Sequence, residues 1–166
     1  MRLVMAVCAV LASAHGELRA QYAPARSNPL LDRLTGHWSM VGQVRGHPVT
    51  YDLDARRILH GAFVELHMKD VARPAHYEAL LLIGEDTIPD RVFVHWLDST
   101  GGAYSVPSGD GGTSGDTLTF SIPYPEAPFR DTFVFRSGSG SWMFRLERSD
   151  GHGGWKPFAE YEVKRK

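Results

Sequence analysis

The chain has little cysteine. Its 166 residues contain one, Cys8, inside an apolar run from Leu3 to Ala12. If that run is removed as a leader, the rest of the chain has no thiol. This excludes disulfides, thiol catalysis, covalent haem attachment and thiolate metal ligands. A domain without cross-links must be stabilised by its apolar core, and this chain is long enough to bury one.

The chain also lacks a surplus of either charge. Lysine and arginine number 18, aspartate and glutamate 19, and the formal net charge is −1. No basic run precedes Lys164-Arg165-Lys166 at the end of the chain. Nucleic acid and anionic membranes attract strongly basic surfaces, so neither is an expected partner.

Signatures of catalysis and metal binding are missing as well. The seven histidines after residue 20 include no His-x-His or His-Glu-x-x-His spacing. No Gly-x-Ser-x-Gly elbow occurs. The glycine-rich segment 108–116 lacks a Gly-Lys-Ser/Thr ending and no helix start follows it, so it is not a phosphate loop. We therefore expect no metal and no cofactor.

The N-terminal residues are typical of a secretory signal. Arg2 precedes the apolar run, and Ala12-Ser13-Ala14 supplies small residues after it. The run is shorter than the about 20 residues that span a bilayer. We predict a signal peptide at 1–20 with cleavage near residues 14–20, a flexible lead-in at 21–27 and one domain at 28–166. The mature chain would have no membrane span and would be periplasmic or secreted; an uncleaved anchor or a disordered tail is the alternative.

One short helix and many strands follow the lead-in. Ser27 or Asn28 can cap a helix whose first turn holds Pro29, and Gly36 ends it. From Trp38 onward the apolar period is two, as in strands. The predicted strands are 38–44, 49–55, 62–69, 77–83, 91–98, 103–106, 117–122, 130–136, 141–148 and 155–164.

The short connections favour pairing between consecutive strands. Ser137-Gly138-Ser139-Gly140 predicts a tight hairpin. A sheet hides its edges by closing on itself, so we predict an all-β, closed, antiparallel up-and-down barrel of about ten strands. The helix would plug one end, and 108–116 would be a flexible connection that acts as a gate at one mouth. An open two-sheet sandwich is the alternative.

Apolar and aromatic residues repeat on one face of these strands, and ten strands leave more room than the eight that hold one small ligand. We therefore expect a small hydrophobic or aromatic ligand inside the barrel. The predicted lining residues are Trp38, Met40, Tyr51, Val64, Leu66, Trp96, Phe133 and Trp142.

Two other functions stay open. An enzyme would use a rim histidine, with His95 and Asp98 as weak catalytic candidates. A structural or interaction barrel would have a filled interior. The sequence offers no nucleophile–base pair, which favours a binding protein over an enzyme. It leaves the ligand's identity and the oligomeric state open.

Charged residues on the later strands predict ion pairs on the outer face of the barrel. Opposite charges directly across a strand pair attract each other. The candidates are Arg130, Asp131, Arg145, Glu147, Glu160 and Glu162.

Several short motifs occur in order from about residue 28 to residue 164. They are Leu30–Leu34 with Thr35-Gly36-His37-Trp38, residues 59–65, Tyr77 with 82–86, residues 96–101, Arg130-Asp131 with Phe135, and Asp150-Gly151 before Trp155. With these motifs in this order, the chain resembles a bacterial family that has a calycin-like barrel and is called domain of unknown function 1579. The resemblance implies a lipocalin-like barrel and supplies no activity or catalytic residues. Glu85 departs from the family, whose members often carry Tyr before the Asp.

The chain is also distantly similar to the nitrobindins, which bind haem in a similar barrel. That resemblance would place a proximal histidine on a C-terminal strand. The last predicted strand, 155–164, has no histidine, and His152 lies in the turn before it. We therefore expect no haem.

Overall fold

The structure, a computed structural model, describes residues 28–105 and 107–166. The predicted signal peptide at 1–20, the lead-in at 21–27 and Val106 lie outside the described residues.

Helix α1 (Pro29–Leu34) forms as predicted, because its first turn is capped. The side chain of Asn28 accepts a hydrogen bond from the backbone N–H of Leu30 at 3.0 Å. Leu30, Leu31 and Leu34 are all buried, and the indole N–H of Trp38 donates to the carbonyl oxygen of Leu34 at 2.7 Å. The helix is therefore part of the core and covers one end of the sheet.

Ten antiparallel strands form one closed barrel in chain order, and β1 pairs with β10 to close it. The strands are β1 (Gly36–Val44), β2 (His47–Ile58), β3 (Phe63–Asp70), β4 (Glu78–Glu85), β5 (Arg91–Asp98), β6 (Ser108–Ser114), β7 (Thr117–Ile122), β8 (Phe129–Arg136), β9 (Ser141–Ser149) and β10 (Trp155–Arg165). The predicted all-β, closed, up-and-down barrel is confirmed, and so is the hairpin that joins β8 to β9.

One predicted strand is wrong. A short 3-10 turn (Gly102–Tyr104) lies where 103–106 was predicted, and β6 lies inside the segment predicted as a flexible connection and gate. Gly109 and Gly111 pack against the backbone of β7, and a Cβ on Gly111 would collide with the carbonyl oxygen of Thr119. Glycine makes this close approach possible. It also removes the apolar alternation that identifies a strand.

The inward side chains of the strands and the leucines of α1 form one hydrophobic core. Two ends of the barrel differ. The helix end holds α1 and the first residues of β1, β3, β5, β7 and β9. The tyrosine end is the opposite end, and we name it for Tyr51, Tyr77 and Tyr161.

Arg57 fastens α1 to the barrel wall. Its guanidinium lies 2.7 Å from Asp32 of the helix and 2.8 Å from Glu85 of β4. Glu85 also accepts a hydrogen bond from the backbone N–H of Asn28 at 3.2 Å. Glu85 thus holds the helix in place. No helix in the described part of the chain is long and apolar enough to cross a membrane.

Candidate ligand site at the tyrosine end

All eight predicted lining residues are buried in the core of the barrel. The structure does not gather them in one place. Trp38 and Trp142 lie near the start of β1 and of β9, at the helix end, whereas Trp96 lies near the end of β5, at the tyrosine end. Whether these residues contact a ligand stays a prediction.

A hydrogen-bonded chain of side chains lies at the tyrosine end. The Tyr77 hydroxyl donates to Oδ2 of Asp98 at 2.9 Å, and the indole N–H of Trp96 donates to the Tyr77 oxygen at 3.3 Å. Burial raises the pKa of Tyr77, and the carboxylate of Asp98 raises it further. Tyr77 therefore stays protonated and acts as a hydrogen-bonding group rather than as a base.

Aromatic rings complete a circuit around these groups. The Tyr51 ring centroid lies 5.9 Å from that of Tyr77 and 5.9 Å from that of Tyr161. Tyr161 is 5.8 Å from Phe144, and Phe144 is 6.4 Å from Trp96. Aromatic pairs at these separations contribute stabilisation in addition to that from burying their surface. The Trp96 hydrogen bond to Tyr77 closes the circuit, so four strands and the loop between β3 and β4 contribute to one aromatic cluster.

Asp131 is the unusual residue of this end. It is 1% exposed and lies on the inward face of β8, between Phe120 of β7 and Leu146 of β9. Its Oδ1 atom has no hydrogen-bond partner among the described residues. Burial raises the pKa of this carboxyl well above its usual range. A buried carboxyl without a partner is costly and requires an explanation.

The field of Asp131 reaches two tyrosines. Burial raises the pKa of Tyr124 to about 12, and the charge of Asp131 contributes to that rise. Burial also raises the pKa of Tyr161, with further contributions from Tyr51 and Asp131. Asp131 is thus electrostatically coupled to the aromatic cluster.

The sequence prediction for Asp131 is wrong, although its neighbour behaves as predicted. Arg130 forms the outer ion pair, 2.7 Å from Glu147, and Arg145 lies 2.9 Å from Glu160. Asp131 faces inward instead, because it shares the parity of Phe133 along β8. That alternation was the signal available in the sequence.

The two weak catalytic candidates do not meet. His95 lies on the outer face of β5, half-buried, whereas Asp98 has the inward parity of Trp96. Asp98 is also occupied, since it accepts hydrogen bonds from Tyr77 and from the backbone N–H of Thr100 at 2.9 Å. Within the described residues no three histidine, cysteine, aspartate or glutamate side chains gather as a metal site.

Two open depressions lie on the outside of the barrel. One surrounds Gly42, between β1 and β9, and the other lies between α1 and the β6–β7 turn at Gly115. Neither includes Asp131, Tyr77 or Trp96. These three residues are therefore separate from both, whereas Tyr161 borders the depression at Gly42.

No family model matches this chain, and no curated protein matches it. Among solved structures, the chain is similar to Rv2717c from M. tuberculosis, with 12% sequence identity and a TM-score of 0.55. The match covers 84% of this chain and 98% of that chain. At this identity the likeness shows the fold alone, and it supports the antiparallel barrel described above.

Proposed function

We propose that this protein binds a small molecule inside the barrel, at the tyrosine end. One observation carries the proposal: hydroxyl, indole and carboxyl groups converge there in an otherwise apolar interior, from Tyr51, Tyr77, Trp96, Asp98, Asp131 and Tyr161. Binding sites for small molecules are mainly apolar, with a few polar groups that orient the ligand.

The two ends of the barrel differ in a way that supports this location. At the helix end, α1 covers the sheet, and Leu34 accepts the hydrogen bond of the Trp38 indole. At the tyrosine end, loops connect the strands instead, among them 71–77, 99–105 and 123–128. Loops move more readily than packed helices, so the ligand enters from this end.

The aromatic circuit favours a ligand with an apolar or aromatic body. Trp96 and Tyr51 offer ring faces and edges, and Phe133 stacks 3.8 Å from Phe144 beneath them. The catalytic alternative has no comparable support, because His95 and Asp98 lie on opposite faces of β5.

We further propose that the protein is exported and that it is related to a known family of barrels. A cleaved leader would place the barrel in the periplasm or outside the cell, and N-terminal sequencing of exported protein tests that. The order of motifs from Leu30 to Trp155, on a closed barrel with one N-terminal helix, supports kinship with domain of unknown function 1579 and with lipocalin-like barrels.

Native mass spectrometry of the protein as purified tests the binding function. We expect an additional mass of a small organic molecule, which solvent extraction then identifies. The mass should persist in His95→Ala, which changes the outside of β5, and its occupancy should fall in a folded Trp96→Ala. A protein without bound mass, whose interior proves completely filled, would support a structural barrel instead.

A further inference from the structure

We propose that the molecule bound at the tyrosine end is an organic cation, an amine protonated at neutral pH, whose N–H group donates to Asp131. This inference rests on the proposed function and adds the chemical class of the ligand. Its basis is the arrangement of charge, unpartnered oxygen and aromatic rings around one end of the barrel.

Carboxyl groups, rather than buried cations, lie at this end. Asp131 is buried, and Asp98 is on the same face of β5 as the buried Trp96. Asp70 is the last residue of β3 and pairs with Tyr51. No lysine or arginine in the described part of the chain is buried. A cation entering the barrel therefore meets carboxyl groups with no buried lysine or arginine beside them, although the exposed His76 imidazole lies 3.3 Å from Asp70. An anion would be disfavoured by the same carboxyl groups.

An ionised Asp131 needs a hydrogen-bond donor at Oδ1. Oδ1 accepts no hydrogen bond, and the neighbouring inward residues, Phe120 and Leu146, cannot donate one. A protonated amine supplies an N–H donor, and its positive charge favours the ionised form of the carboxyl, which burial alone disfavours by raising the pKa. Hydrogen bonds between ionised groups are about twice as strong as neutral ones. The ligand would thereby supply the hydrogen bond that Oδ1 of Asp131 lacks within the protein.

The rings next to Asp131 suit the same ligand. Ring faces of tyrosine and tryptophan attract a cation within about 6 Å of their centroids. Phe120 pairs with Asp131 across β7 and β8, and Tyr161 belongs to the aromatic circuit through Tyr51 and Phe144. An amine on Asp131 would therefore lie beside aromatic rings as well as beside a carboxylate.

Three compounds with the same phenylpropyl body test the charge. They are 3-phenylpropylamine, 3-phenylpropan-1-ol and 3-phenylpropanoate, and the dissociation constant of each is measured by NMR titration. We expect the amine to bind at least about tenfold more tightly than the alcohol, as a charge-assisted bond requires. The carboxylate should bind weakest.

Asp131→Asn tests the residue. This variant keeps the shape of the side chain but cannot ionise, so the advantage of the amine over the alcohol should disappear. Asp110→Asn, on the exposed face of β6, controls for the loss of one negative charge and should keep that advantage. If Asp131→Asn does not fold, the comparison of amine with alcohol on the unaltered protein decides the matter.

The outcomes separate this inference from the proposed function. Three results would contradict a cationic ligand on Asp131. They are equal binding of amine and alcohol, unchanged amine binding in Asp131→Asn, and failure of the amine to bind at millimolar concentration. A neutral or anionic compound that co-purifies would also contradict a cationic ligand and would leave the binding function standing. An empty protein that binds none of the three compounds would contradict both.

Discussion

The indole N–H of Trp96 donates a hydrogen bond to the phenolic oxygen of Tyr77, 3.3 Å away, at the tyrosine end of the barrel. The indole of Trp38 makes the corresponding bond at the helix end, to the carbonyl oxygen of Leu34 at 2.7 Å. Each end of the interior therefore has a tryptophan with a defined partner. The end with Tyr77 also has the carboxyl groups, and there we place the ligand.

Replacing Trp96 should weaken binding of the extracted compound. Trp96→Ala removes a buried aromatic contact, which costs about 1–3 kcal/mol, or about 5- to 150-fold in dissociation constant. His95→Ala changes the next residue, on the outer face, and should leave affinity nearly unchanged. Calorimetric titration of both variants checks the pair. Equal affinities in folded Trp96→Ala and wild type would remove Trp96 from the site.

The raised pKa of Asp131 predicts a pH dependence of stability. In the folded protein this carboxyl holds its proton at pH values where the unfolded chain has lost it, because burial raises its pKa. Its contribution to stability is full below the unfolded pKa of about 3.9 and falls as the pH rises toward the folded pKa.

Asp131→Asn removes that dependence. Urea unfolding between pH 4 and pH 8 should therefore show the variant gaining stability relative to wild type as the pH rises. Asp110→Asn, the exposed control, should show no such gain. A constant difference between Asp131→Asn and wild type at every pH would contradict the buried, proton-holding carboxyl.

The glycines of β6 should be intolerant of a side chain. Gly111→Ala places a methyl group against the carbonyl oxygen of Thr119, and such overpacking costs about 1–3 kcal/mol. A Cβ on Gly138, in the β8–β9 turn, meets nothing within 4 Å. Thermal unfolding should show a lower melting temperature for Gly111→Ala and little change for Gly138→Ala. Equal melting temperatures would mean that β6 does not approach β7 this closely.

Two neighbouring arginines should differ in their contribution to stability. Arg57→Met breaks the contacts with Asp32 and Glu85 and leaves the Glu85 carboxylate, 6% exposed, with one partner fewer. We expect a loss of about 1–3 kcal/mol. Arg56→Met removes an exposed pair with Glu65 and should cost less than about 1 kcal/mol. Chemical denaturation that gives equal losses would contradict the role of Arg57 in holding α1.

The architecture could be predicted where polar and apolar residues alternate. Leu53 and Ala55 of β2, for example, are buried between exposed aspartates and an exposed arginine, as a period of two requires. The same rule fails at β6, because Gly109 and Gly111 have no side chain to mark the inner face. Close backbone approach, rather than apolar burial, determines that strand.

The site was less predictable than the fold. Trp96 and Tyr51 are on the inner face as expected, since aromatic residues mark that face. Asp131 was assigned to the outside, because a carboxylate beside an arginine is typical of a surface ion pair. Alternate residues of a strand face the same side of the sheet whatever their type, so Asp131 faces inward with Phe133. The bond between Tyr77 and Asp98 joins residues 21 positions apart and left no local signal.

The most direct test of ligand binding at the tyrosine end is an NMR titration that follows the indole N–H signals of the four tryptophans. Trp96 reports the tyrosine end, Trp38 the helix end, and Trp155, whose ring is stacked under Arg130, the outside of the barrel. Assignment uses single Trp→Phe variants, and the titrant is the compound extracted from the purified protein. We predict that the Trp96 signal shifts most and that the Trp38 and Trp155 signals remain nearly fixed. Shifts confined to Trp38 or Trp155, with Trp96 unmoved at saturation, would contradict a ligand site at the tyrosine end.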